Sequence, residues 1–116
     1  MNKKSVTIEV AETFDKKLDN AITHLSLWSD ELEVVTKVDS VLDTLETQAM
    51  EQPYSYSRCP ELVELGVNFV RNANIGNFRL LYEIYESEQE IKVTLLLFIR
   101  TNQSVEKQLV EYCLYQ

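Results

Sequence analysis

The sequence predicts an α+β domain: an antiparallel sheet with a helical hairpin on one face and a closing C-terminal helix. Three observations lead there. Two long stretches between residues 13 and 52 repeat apolar residues at steps of three and four. Three later stretches are strand-length and rich in β-branched, aromatic and leucine residues. Short polar turns join the last two strand candidates, so neighbours in sequence should be neighbours in space.

The elements follow in order. Ser5 to Val10 sets Val6, Ile8 and Val10 against Thr7 and Glu9, the period-two pattern of a half-buried strand. Thr13 is placed to cap a helix whose positive end suits Asp15. Phe14, Leu18, Ile22, Leu25 and Trp28 line one side of that helix. Ser29 is the next expected cap, followed by a longer stripe of Val34, Val35, Val38, Val41, Leu42, Leu45 and Ala49. Pro53 stands beyond its end as a stop. Two helices joined by so few residues read as an antiparallel hairpin.

PYSYSRCP, residues 53–60, is a loop, and Glu61 to Leu65 is one helical turn ended by Gly66. Val67 to Ala73 is a weaker strand, and Asn74 to Asn77 supplies turn chemistry. Phe78 to Tyr85 and Glu90 to Arg100 are the strong strands, separated by a turn at Ser87 to Gln89. Thr101 or Asn102 can cap a last helix carrying Val105, Leu109, Tyr112 and Cys113. The order β-α-α-β-β-β-α gives a three-stranded meander, with the first strand joining at an edge.

A length of 116 residues fits a single domain, residues 1–116, with one modest core. The formal charge of −8 opposes direct binding to nucleic acid, which needs clustered Lys and Arg to displace counterions. It suits a protein partner that carries basic residues. Leu95 to Ile99 is the longest apolar run, far short of a membrane span, and no apolar segment follows the two N-terminal lysines. A cytoplasmic protein with reduced Cys59 and Cys113 is the expectation. No cofactor or metal is expected. Glu86, Glu88 and Glu90 read as a solvated turn, and Gly66 and Gly76 are too few for a phosphate loop. Tyr54 and Tyr56 could stack on a partner or pack against the hairpin.

Simple alternation puts Phe78, Leu80, Tyr82 and Ile84 on the helical side, with Ile91, Val93, Leu95, Leu97 and Ile99 beside them. It leaves Arg79, Leu81, Glu83, Tyr85, Lys92, Leu96, Phe98 and Arg100 together on the opposite face. There the leucines and Phe98 can pack beneath the last helix. Arg79 and Arg100 either form ordinary ion pairs or grip a partner's carboxylates or phosphates.

The element order, with PELVELG at 60–66, FRLLYEI at 78–84 and LLLFIR at 95–100, resembles the RelE/ParE toxin superfamily of bacterial toxin–antitoxin and plasmid stabilisation systems. Arg79, Leu80, Leu81 and Tyr82 match its motif of arginine, two apolar residues and tyrosine, and Arg100 matches the arginine closing the last strand. The long hairpin is similar to the ParE branch. That resemblance implies a toxin that binds and inhibits DNA gyrase, has no catalytic residue, and is neutralised by a cognate antitoxin in a joint oligomer. It also implies a partner-binding surface of Arg79, Glu83, Tyr85, Phe98, Arg100 and Gln103.

The RelE branch implies a ribosome-dependent messenger RNA endoribonuclease instead. Its members use several basic residues and a late tyrosine or histidine. Here TNQSVEKQ follows Arg100, Glu106 stands near the expected tyrosine position, Tyr112 and Tyr115 come late, and His24 lies on the first helix. A complete acid–base set for RNA cleavage is missing from the sequence pattern. A third reading is a non-toxic interaction scaffold built on the same fold.

Overall fold

The computed structural model describes residues 4–101, 104 and 107. The expected C-terminal helix, Gln103 and Cys113 lie outside the described residues. The elements are β1 (Ser5–Val10), α1 (Glu12–Leu25), α2 (Glu31–Glu51), α3 (Pro60–Val63), β2 (Val70–Ile75), β3 (Phe78–Glu86) and β4 (Glu90–Arg100). They form an α+β unit with one four-stranded sheet in the order β1-β4-β3-β2. The meander β2-β3-β4 is antiparallel, as expected. β1 is an edge strand, but it runs parallel to β4, with Val6 opposite Ile91 and Val10 opposite Leu95. The sheet is therefore mixed, the helical hairpin and meander together serving as the long connection a parallel pair requires.

Several boundaries differ from the sequence expectation. α1 begins at Glu12 with Ala11 as its cap, and Thr13 is buried inside the first turn. α2 begins at Glu31 with Asp30 as its cap, one residue later than the expected Ser29. α1 stops at Leu25, so the three-to-four spacing no longer governs Trp28, which is 79% exposed in the turn. β2 starts at Val70 rather than Val67. The β2–β3 turn narrows to Gly76 and Asn77. Gly76 has φ +60 and Asn77 a non-positive φ, the pattern of a type II′ hairpin turn with glycine first.

Two cores sit on the two faces of the sheet. The larger lies beneath the hairpin and joins Phe14, Val38, Val41 and Leu45 to Phe78, Leu80, Tyr82, Val93, Leu95 and Phe98. The smaller joins Cys59 and Leu62 to Val70, Leu81, Leu97 and Ile99. The segment before α3 also runs along the outer edge of β2. The Cys59 amide donates to the Val70 carbonyl and the Asn72 amide to the Ser57 carbonyl. This covers part of an edge that would otherwise present unpaired backbone groups.

The faces of β4 are not those that alternation predicts. Leu81 opposes Leu97 while Tyr82 opposes Leu95, so Leu96 is an extra residue in β4. A bulge of this kind resets the side-chain phase. Before it, Val93 and Leu95 face the hairpin. After it, Leu97 and Ile99 face α3, and Phe98 turns to the hairpin side. Phe98 is 1% exposed there, with its ring 5.9 Å from Phe14 and 4.8 Å from Phe78 between centroids. The expectation that Phe98 and Arg100 share a face with Arg79 is thus corrected.

Candidate functional site

Arg79 leaves β3 on the α3 side, opposite Ile99. Its guanidinium fork donates to both carboxylate oxygens of Glu61, at 2.6 Å each. Its Nε donates to Oδ1 of the buried Asn72, and Nη2 lies 3.8 Å from Cys59 Sγ. Two parallel charge-assisted bonds are the strong geometry for this pair. The Arg79 hydrogen bonds hold the Glu61 carboxyl at about 2, well below its ordinary 4.5, against the opposing effect of burial. Burial pushes the Cys59 thiol up, which keeps it protonated and unreactive. Of the two readings left open for Arg79, the ordinary ion pair is the one observed: it clamps α3 to the sheet.

Arg100 ends β4 on the opposite face, across from Phe78. It lines a cavity of about 320 Å³ with Leu25, Lys37, Asn77, Phe78 and Thr101. The Thr101 amide donates to the Asn77 carbonyl and ties the end of β4 to the β2–β3 turn. Glu83 and Tyr85 stay on the Arg79 side, opposite Thr94 and Lys92. Tyr85 is 66% exposed, and Lys92 is 3.4 Å from Glu9 on β1. The six residues expected to form one surface are thus divided. Arg79, Glu83 and Tyr85 share one face, Phe98 and Arg100 take the other, and Gln103 lies outside the described residues.

The loop tyrosines bind their own chain. Tyr56 packs edge-on to Tyr82 at 6.3 Å, and the Tyr82 hydroxyl donates to the Pro53 carbonyl at 2.8 Å. Burial pushes that hydroxyl up to about 12. The Tyr54 hydroxyl donates to Glu86, which also receives Lys4, and Arg71 sits 5.3 Å from the Tyr54 ring centre. His24 is exposed in the last turn of α1. Among the described residues, no three His, Cys, Asp or Glu side chains group as a metal site. No helix among them is long and apolar enough to cross a membrane.

Sequence reasoning missed Glu61 and Asn72 as the partners of Arg79, and Lys37 as the neighbour of Arg100. The partners of Arg79 come from α3 and β2, and nothing in their local spacing signals the meeting. Lys37 had a faint signal, as the one basic residue of an otherwise acidic α2.

No known sequence family matches the chain. No curated protein matches it either. Among solved structures, it is similar to a chain of the chromosomal ParDE toxin–antitoxin system from P. aeruginosa, with a TM-score of 0.62 and 13% identity. The match covers 83% of this chain and 96% of that one. The resemblance carried by FRLLYEI and LLLFIR therefore holds for the fold, which is RelE/ParE-like. So low an identity is compatible with a shared fold, because cores constrain volume and patterning more than residue identity.

Proposed function

We propose that this chain is the toxin half of a toxin–antitoxin pair, acting by binding DNA gyrase and held inactive by a cognate antitoxin in a joint oligomer in the cytoplasm. The likeness to the ParDE system over nearly all of that chain's length carries the toxin–antitoxin reading. The separation of the two strand arginines supports a binding mode of action over RNA cleavage. Attack by a 2′-hydroxyl needs a base, an acid and cations converging on one phosphorane. Arg79 is committed to Glu61 and Arg100 lies on the other side of the sheet, so the pair cannot close on one phosphate. The charge of −8 works in the same direction.

One observation favours the ribosome-dependent ribonuclease as second reading: Lys37 and Arg100 line a common cavity, and two cations there suit a phosphate. Induced expression in a bacterial host separates the readings when growth and the DNA-damage response are scored together. Arrest with damage signalling is the expected result. Arrest without it moves the target to the ribosome. Unimpeded growth in a native host from which the antitoxin gene has been removed excludes the toxin and leaves an interaction scaffold.

A further inference from the structure

The turn that joins α1 to α2 carries apolar side chains that the core does not use. Leu27 is 73% exposed, Trp28 79% and Leu32 73%, the highest values for large apolar residues among the described residues. Exposed apolar residues scattered singly need no explanation, but three within six consecutive positions mark a contact surface. The backbone beneath them is fixed. The Ser26 amide donates to the Ile22 carbonyl, that of Leu27 to His24, and those of Trp28 and Ser29 both to Leu25, at 3.0 to 3.2 Å. The Ser26 hydroxyl also donates to Ile22, at 2.7 Å. A turn held this way presents Trp28 in one place, so a partner that covers it loses little to ordering.

The charges at the tip decide what can cover it. Asp30, Glu31 and Glu33 follow Trp28 closely in the chain and are exposed, as is His24 on the α1 side. Lys37 and Arg100 are the cations at this end. They stand with Leu25 and Phe78 around the cavity at the sheet, and Lys37 also lines a groove with Leu32 and Glu33. The residues flanking Trp28 in the turn are thus acidic, and the cations belong to the cavity. A second copy docked tip to tip would set carboxylates against carboxylates, and an anionic membrane would be repelled. A cationic side chain set in an apolar protein surface fits. Arginine stacks on an indole face, and its fork can reach carboxylates alongside. Tryptophan and arginine are also the side chains that most often anchor protein interfaces.

We propose that this tip is where the chain grips its cellular target, with Trp28 against an arginine in an apolar surface of that protein and the Asp30, Glu31 and Glu33 carboxylates beside it. This inference rests on the gyrase-binding reading. Trp28 is the chain's one tryptophan, so fluorotryptophan incorporated into it reports the tip alone by fluorine NMR. The test titrates purified gyrase into the labelled chain. It also measures inhibition of supercoiling, and affinity for the antitoxin encoded beside the gene. Trp28→Ser combined with Leu27→Ser removes the tip at exposed turn positions, and circular dichroism checks that the protein folds. Leu65→Ser, at a 69% exposed leucine beyond α3, is the control.

Gyrase should shift or broaden the Trp28 signal. The double variant should need at least about tenfold more protein for half-inhibition, with antitoxin affinity unchanged, while Leu65→Ser behaves as wild type. Glu31→Gln with Glu33→Gln should weaken inhibition about threefold at low salt, an effect that shrinks as salt rises. Undiminished inhibition by the double variant, or a Trp28 signal unmoved while supercoiling falls, would overturn the tip assignment and leave the gyrase reading intact. A folded double variant that loses antitoxin affinity along with inhibition would also overturn it, assigning the tip to the antitoxin. A wild-type chain that neither binds gyrase nor inhibits it overturns both readings together.

Discussion

The two faces of the sheet use the same chemistry for different ends. The hairpin face is a deep apolar core under two long helices, with Arg100 at its rim. The α3 face has a smaller core, supplemented by the Arg79–Glu61–Asn72 cluster. Where apolar area is scarce, a bidentate ion pair fastens a four-residue helix that could not hold itself. One bulged leucine decides which arginine serves which face. Were Leu96 paired regularly instead of bulged, Arg100 would lie beside Arg79 and Phe98 would leave the hairpin core.

The largest test of this contrast is Phe98→Ala, expected to cost about 3–5 kcal/mol in urea unfolding, as a fully buried aromatic should. A loss below about 1 kcal/mol would break the assignment of Phe98 to the hairpin core. Arg79→Met should cost about 1–3 kcal/mol, because it removes the charged donor that Glu61 and Asn72 share. Pairing it with Glu61→Met should recover much of that loss.

The same cluster gives a pH signature. The Glu61 carboxyl is lowered from 4.5 to about 2 in the folded chain. Its stabilisation is therefore fully present above about pH 4.5 and is lost as pH falls toward 2. Denaturant midpoints between pH 6 and 3 should fall less steeply in Arg79→Met than in wild type. Equal slopes would remove Glu61 as a source of acid sensitivity.

Gly76→Ala should cost about 1–2 kcal/mol, since the β2–β3 turn holds this residue at positive φ. The smallest stability effect is expected for Arg100→Ala, under about 1 kcal/mol by thermal unfolding. Growth arrest should nonetheless weaken in that variant. An Arg100→Ala chain that unfolds as readily as Arg79→Met would erase the distinction between the two arginines.

Much of the architecture was legible in the sequence. The apolar stripes of α1 and α2 and the strand signals from Phe78 onward gave the hairpin, the meander and the fold. The phase of β4 was not legible. Leu95 to Ile99 is apolar at every position because both faces are buried there, so alternation has no polar residue to mark the bulge. The direction of β1 was hidden too, since a six-residue alternating strand reads the same whether its neighbour is parallel or antiparallel. Glu61 escaped for a different reason: its role depends on a contact with Arg79, eighteen residues away in sequence. The exposed hairpin tip escaped because Trp28 continues the spacing of Ile22 and Leu25, although α1 ends at Leu25.

The measurement that most directly tests the functional account is DNA gyrase supercoiling with the purified chain titrated in, free of any antitoxin. The account predicts progressive loss of supercoiling, retained by a folded Arg79→Met protein and weakened by Arg100→Ala. Supercoiling that stays unchanged at high molar excess of the wild-type chain would contradict it.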